Sequence, residues 1–155
     1  MKKILLAVLF MNCLALCLYA QKQTELSSPD GALKVSLNIS DRIYYDISCN
    51  NDVLLKNNYL QLSLRDGILG QNPKLSKQKR SQVKSESKPV VPLKFSTVKD
   101  EYNQLLLTFK GDYSVEFRAY NDGIAYRFIT NKKTEAEVLG EDLVVNFPAG
   151  YLLHL

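Results

Sequence analysis

The sequence predicts an all-β protein, an antiparallel β-sandwich, on three observations. Apolar side chains recur at every second position through almost every segment after residue 20. Clusters of glycine, asparagine and aspartate interrupt that alternation at short intervals. Helical periodicity is nearly absent. The chain has 155 residues, 46% of them apolar and 23% charged, which is the composition of one globular domain rather than a disordered chain.

Residues 1–20, "MKKILLAVLFMNCLALCLYA", are read separately from the fold. Lys2 and Lys3 precede an apolar run from Ile4 to Tyr19, and Ala20 stands before Gln21, the layout of an export signal. A membrane anchor is the rival, but the run contains Asn12 and falls short of the roughly 20 residues a span needs. Cleavage after Ala20 is the expectation; lipid attachment at Cys17 is the alternative, although Leu16 occupies a place where a lipobox carries a small residue. The expected location is therefore exported, periplasmic or associated with the outer membrane. Cleavage after Ala20 removes Cys13 and Cys17 and leaves Cys49 without a disulfide partner. A core alone must then hold the domain, and about 135 residues bury roughly two-thirds of the unfolded surface. Cys49 reads as a small buried apolar residue rather than a nucleophile.

The strands follow in order. Leu33, Val35, Leu37 and Ile39 share one face, as do Ile43, Tyr45 and Ile47, and then Leu60, Leu62 and Leu64. Leu105, Leu107 and Phe109 repeat the pattern, followed by Val115, Phe117 and Ala119, by Tyr126 and Phe128, and by Leu143, Val145 and Phe147. About eight short strands result. "SPDG" (28–31), "RDG" (65–67), "GD" (111–112) and "NDG" (121–123) mark the turns, so Asp30, Asp66 and Asp122 are turn residues before they are candidates for chemistry. Residues 70–89 lack alternation and carry Lys74, Lys77, Lys79, Arg80, Lys84 and Lys88 against Glu86; they read as a long exposed loop.

The stretch "EFRAYNDGIAYRF" (116–128) is a hairpin with two possible registers. A three-residue loop of Asn121, Asp122 and Gly123 sets Phe117 against Arg127 and mixes core with charge. A two-residue Asp122-Gly123 loop pairs Ala119 with Tyr126 and Phe117 with Phe128, separates the faces, and suits a type I′ turn. The second register is expected, and it places Arg118 across from Arg127 with Glu116 as the nearest counter-charge. Arg118, Arg127 and Glu116 are the candidate substrate or domain contacts; a plain surface ladder is the alternative.

Much chemistry is excluded. His154, the sole histidine, lies one residue from the end of the sequence, and no Ser-His-Asp set, metal-spaced His or Cys pair, or phosphate-binding glycine loop is present. Glu135, Glu137, Glu141 and Asp142 read as a solvated connection between strands. The formal charge of +4, about +2 without Lys2 and Lys3, gives no reason to expect nucleic acid. The chain alone is not read as an enzyme.

"SSPDGALKVSLN", "YYDISCNNDVLLKNNYLQLSL", "YNQLLLTF" and "YSVEFRAYNDGIAYRF", in that order, resemble the amino-terminal domain of glycoside hydrolase family 97. The likeness spans residues 26–148, and FR-x-YNDG-x-x-YRF is its most specific part. The family comprises bacterial α-glucosidases and α-galactosidases in which a β-sandwich precedes a catalytic (β/α)8 barrel. The resemblance implies a galactose mutarotase-like super-sandwich, incomplete at its C-terminus because the chain stops after "FPAGYLLHL". It implies a barrel partner, a carbohydrate nearby, and calcium in the full-length family; the catalytic and calcium-binding carboxylates belong beyond this chain, so no metal or cofactor is assigned to its residues. A self-standing exported carbohydrate-binding or structural sandwich is the competing reading.

Overall fold

The computed structural model describes residues 24–88 and 97–150, and among them lie ten strands and no helix. The first sheet runs β1 (Thr24–Ser27), β2 (Leu33–Ile39), β3 (Ile43–Cys49), β4 (Asp52–Leu64) and β10 (Val138–Val144), with the short β5 (Gly67–Leu69) also on β4. The second runs β6 (Leu75–Ser87), β7 (Val98–Phe109), β8 (Tyr113–Ala119) and β9 (Ile124–Thr130). All pairings are antiparallel. The signal region and His154 lie outside the described residues.

Alternation fixes the inner faces. Val35 and Leu37 of β2, Ile43 of β3 and Leu60 of β4 meet Leu105 and Leu107 of β7 and Val115 and Phe117 of β8, all essentially sealed from solvent. Phe117 sits between Tyr45 at 6.5 Å and Tyr126 at 6.1 Å, ring centre to ring centre, within the range of aromatic contact. Burying one such side chain stabilises by about 1.5–3 kcal/mol, so these inner rows are the main support of the fold, in which no disulfide occurs among the described residues. Cys49 is free and only half-buried, where a sealed position was expected. It ends β3 at the mouth of the turn that leads into β4.

Residues 75–87 overturn the loop reading. They form a 13-residue edge strand paired along β7 from Leu75↔Phe109 to Ser87↔Val98. Apolar alternation is missing because one edge and most of both faces meet water, with only Leu75 and Val83 half-buried. Lysines on such an edge discourage pairing with other chains. Glu141 and Asp142 likewise belong to a strand, β10, rather than to a connection. Leu143 faces inward across from Leu60, yet it and the following Val145 and Phe147 are exposed, so this last row is apolar without being core.

The hairpin register differs from the expected one by two residues. Ala119 pairs with Ile124, Phe117 with Tyr126, and Glu116 with Arg127. A shift of two keeps every side chain on its expected face. The chain reverses over Asn121 and Asp122, closed by the Tyr120 N–H donating to the Gly123 carbonyl at 2.8 Å. None of Asn121, Asp122 and Gly123 takes positive φ, so the turn is not type I′. Asn121 serves a tertiary contact instead, its Oδ1 accepting the Asp30 N–H at 3.1 Å. A two-residue turn with both φ values positive occurs elsewhere, at Asn50 (50°) and Asn51 (74°) between the paired Cys49 and Asp52. The "SPDG" turn is as expected: Gly31 has φ 78°, and Asp30 accepts hydrogen bonds from the Ser28 hydroxyl and the Ala32 N–H.

Candidate functional site

Strand β8 turns Tyr113, Val115, Phe117 and Ala119 inward, which leaves Ser114, Glu116 and Arg118 on the outer face of the second sheet. Glu116 is nevertheless only 4% exposed. Arg118 Nε reaches its Oε1 at 2.6 Å, Arg127 Nη2 reaches Oε2 at 3.0 Å, and Gln104 Nε2 donates to Oε2 at 3.2 Å. The three candidate contact residues are therefore brought together. The two-residue offset sets Arg127 across from Glu116 and Arg118 across from Ala125, which removes the like-charge pair that the expected register contained.

The ladder has aromatic support that its spacing did not announce. The Arg118 guanidinium lies 4.6 Å from the centre of the Tyr102 ring, and Tyr102 packs on Tyr120 at 4.9 Å. The sequence reading does not single out Gln104, Tyr102 or Tyr120; the signal that finds them is the pairing of β7 with β8 across the Gly111-Asp112 turn. Burial opposes ionisation of Glu116, but the hydrogen bonds from Arg127 and Arg118 outweigh it and hold the carboxyl below its ordinary range. A carboxylate locked between two cations is a poor proton donor at neutral pH. Arg118 is 28% exposed and Arg127 58%, and Arg127 has further N–H groups beyond the one given to Glu116. The arrangement is suited to contact, with Arg127 as its outward donor.

A second feature lies at the side of the sandwich formed by β9 and β10. Leu139 is 63% exposed and Leu143 48%, with Val138, Val145 and Phe147 exposed beside them. Phe147 also lines an apolar cavity with Leu33, Ile47, Leu54, Leu55 and Ile124. Besides its ladder with β4, this side is held by Tyr126 donating to Glu141 at 2.6 Å, by Tyr45 reaching the Val144 carbonyl at 3.5 Å, and by Asn146 Nδ2 donating to the Asn57 carbonyl at 2.9 Å.

Residues 26–155 match the family model described as glycosyl-hydrolase 97 N-terminal. The chain belongs to that family. It is 43% identical over 150 residues to a retaining alpha-galactosidase of Bacteroides thetaiotaomicron, covering 96% of this chain and 22% of the relative. A family 97 enzyme from Pseudoalteromonas sp. strain K8, solved with acarbose, superposes with a TM-score of 0.67 at 24% identity, over 77% of this chain and 20% of that one. A beta-arabinopyranosidase superposes with a TM-score of 0.71 at 20% identity, over 81% and 21%. At these identities the two structures show the fold, an all-strand sandwich. The chain spans about a fifth of the length of the relatives it matches.

The stretch Glu116–Phe128 thus builds the Glu116 ladder and the turn tied to Asp30. Among the described residues no three His, Cys, Asp or Glu side chains gather to hold a metal ion. Glu116 is taken up by its two arginines, so the described residues do not fit a calcium site. No helix among the described residues is long and apolar enough to cross a membrane.

Proposed function

We propose that this chain is the non-catalytic sandwich of a family 97 glycosidase, docking through its β9–β10 side against the catalytic barrel and helping to shape that barrel's sugar site. One asymmetry carries the reading. The β6 edge is lined with Lys77, Lys79, Arg80 and Lys84, whereas the β10 edge presents Val138, Leu139 and Leu143 with the acids Glu141 and Asp142 between them. Charged side chains keep an open edge from pairing; an open edge left apolar suits a permanent neighbour. Arg127, outward on the second sheet, offers a polar contact at the rim of such an interface. Residues 1–20 fit export of the whole enzyme, and the family relation supports a glycoside as substrate of the assembled protein.

The retaining alpha-galactosidase relative provides the test. Its remainder, expressed without the matched N-terminal fifth, is assayed for galactoside hydrolysis with and without this chain. Activity that rises when the chain is added, and no sugar release by the chain alone, is the expected result. Hydrolysis by the isolated chain, or a remainder indifferent to its addition, would refute the reading.

A further inference from the structure

A polar cavity of about 310 Å³ opens across β2 and β3 on the outer face of the first sheet, with Ser36, Asn38, Ser40, Tyr44, Asp46 and Asn57 in its wall. We infer that this cavity holds one neutral sugar residue. The inference does not rest on docking of the β9–β10 side.

The volume is at the lower end of small-ligand sites, the size of a single pyranose. Its opening has a structural cause. Register shifts on either side of Ile47 in the β3–β4 pairing leave Asn57 with a φ of 54°, and that bulge lets the wall fall away. Asp46 Oδ1 accepts the Asn57 N–H at 2.7 Å, while its Oδ2 makes no hydrogen bond or ion pair among the described residues. Asn38 Oδ1 is enclosed and also has no hydrogen-bond partner. The acceptor the wall offers to a ligand is therefore the free Oδ2 of Asp46, which favours a ligand carrying hydroxyl donors.

The remaining chemistry narrows the class. No lysine, arginine or histidine lines the cavity, which disfavours phosphate and carboxylate ligands. Arg42, close in sequence, is instead stacked 4.2 Å over the Tyr59 ring. Tyr44 is braced edge-on against Tyr59, centroids 6.3 Å apart, and presents an aromatic wall beside the acceptors. A ring with an apolar C–H face and several hydroxyl donors satisfies both walls at once. Strand addition by an extended peptide is disfavoured along Lys34–Leu37, where β2 is already paired with β1 on one side and β3 on the other.

Titration of the full ¹⁵N-labelled chain with methyl α-galactoside and methyl α-glucoside, followed by amide shifts, tests the proposal. Shifts confined to residues 36–46 and Asn57, saturating in the millimolar range, are expected with at least one glycoside. Asp46→Asn keeps an acceptor for Asn57, so the variant should still melt cooperatively while binding weakens by about tenfold; Tyr44→Ala should weaken it similarly. Absence of shifts with both glycosides up to ~50 mM would overturn the inference. So would shifts located elsewhere, unchanged affinity in Asp46→Asn, or the same amides responding to inorganic phosphate.

Discussion

Replacing Glu116 with glutamine keeps the shape of the side chain and removes the charge shared by Arg118 and Arg127. Two charge-assisted hydrogen bonds then become neutral ones, and a hydrogen bond to a charged group contributes about 1.5–3 kcal/mol. The two contributions are unequal. Arg127 is more than half exposed, so water screens its share to about 0.5–1 kcal/mol. Arg118 is mostly covered and packed on Tyr102, so its share stays near 1.5–2 kcal/mol. Glu116→Gln should therefore destabilise the chain by about 2–3 kcal/mol, and Arg127→Gln by under about 1 kcal/mol. For a domain of this size each kcal/mol moves the melting temperature by roughly 3–5 °C, giving a loss of about 6–15 °C for Glu116→Gln in a circular dichroism melt. A change within about 0.5 kcal/mol for Glu116→Gln, or equal losses in the two variants, would refute the buried-carboxylate reasoning.

The same carboxylate sets a pH dependence. Because the folded value is depressed, its contribution is fully present above the ordinary carboxylate range and disappears as pH falls through the folded value; melts in acid should converge for the parent and Glu116→Gln, and a constant gap would contradict this. Gly70 has φ 89°, and a Cβ there would stand 2.8 Å from the Leu60 carbonyl oxygen, so Gly70→Ala should cost about 2 kcal/mol or more by denaturant titration. At Gly123 the backbone is not left-handed and a Cβ would meet nothing within 4 Å, so Gly123→Ala should leave stability within about 0.5 kcal/mol, where a type I′ turn would lose more than about 1.

Period-two patterning made the inner rows legible, because Val35, Leu37, Ile43, Leu60, Leu105, Leu107, Val115 and Phe117 each bury one face of an alternating strand. The same signal failed for Leu75–Ser87. An edge strand solvated on most of both faces has nothing to alternate, and its lysines look like those of a loop. In the hairpin, face assignment was legible and pairing was not, since parity is unchanged by a two-residue offset. Only the contact from Asn121 to the Asp30 backbone, remote in sequence, shows how the turn closes. Glu116, Arg118 and Arg127 were visible as a charge cluster, whereas Tyr102 and Gln104 enter through pairing with β7. Leu143 and Phe147 look like core by pattern, and tertiary placement alone reveals them as an uncovered surface.

The central claim is that the β9–β10 side is a docking face and not merely a loose edge. Amide hydrogen exchange of the full chain, alone and mixed with the remainder of the retaining alpha-galactosidase relative, measures this strand by strand. Protection gained in residues 124–130 and 138–147, with β6 exchanging as before and Leu143→Lys abolishing the gain, is the result the account requires. Unchanged exchange along β9 and β10, or protection appearing on the basic β6 edge instead, would contradict it.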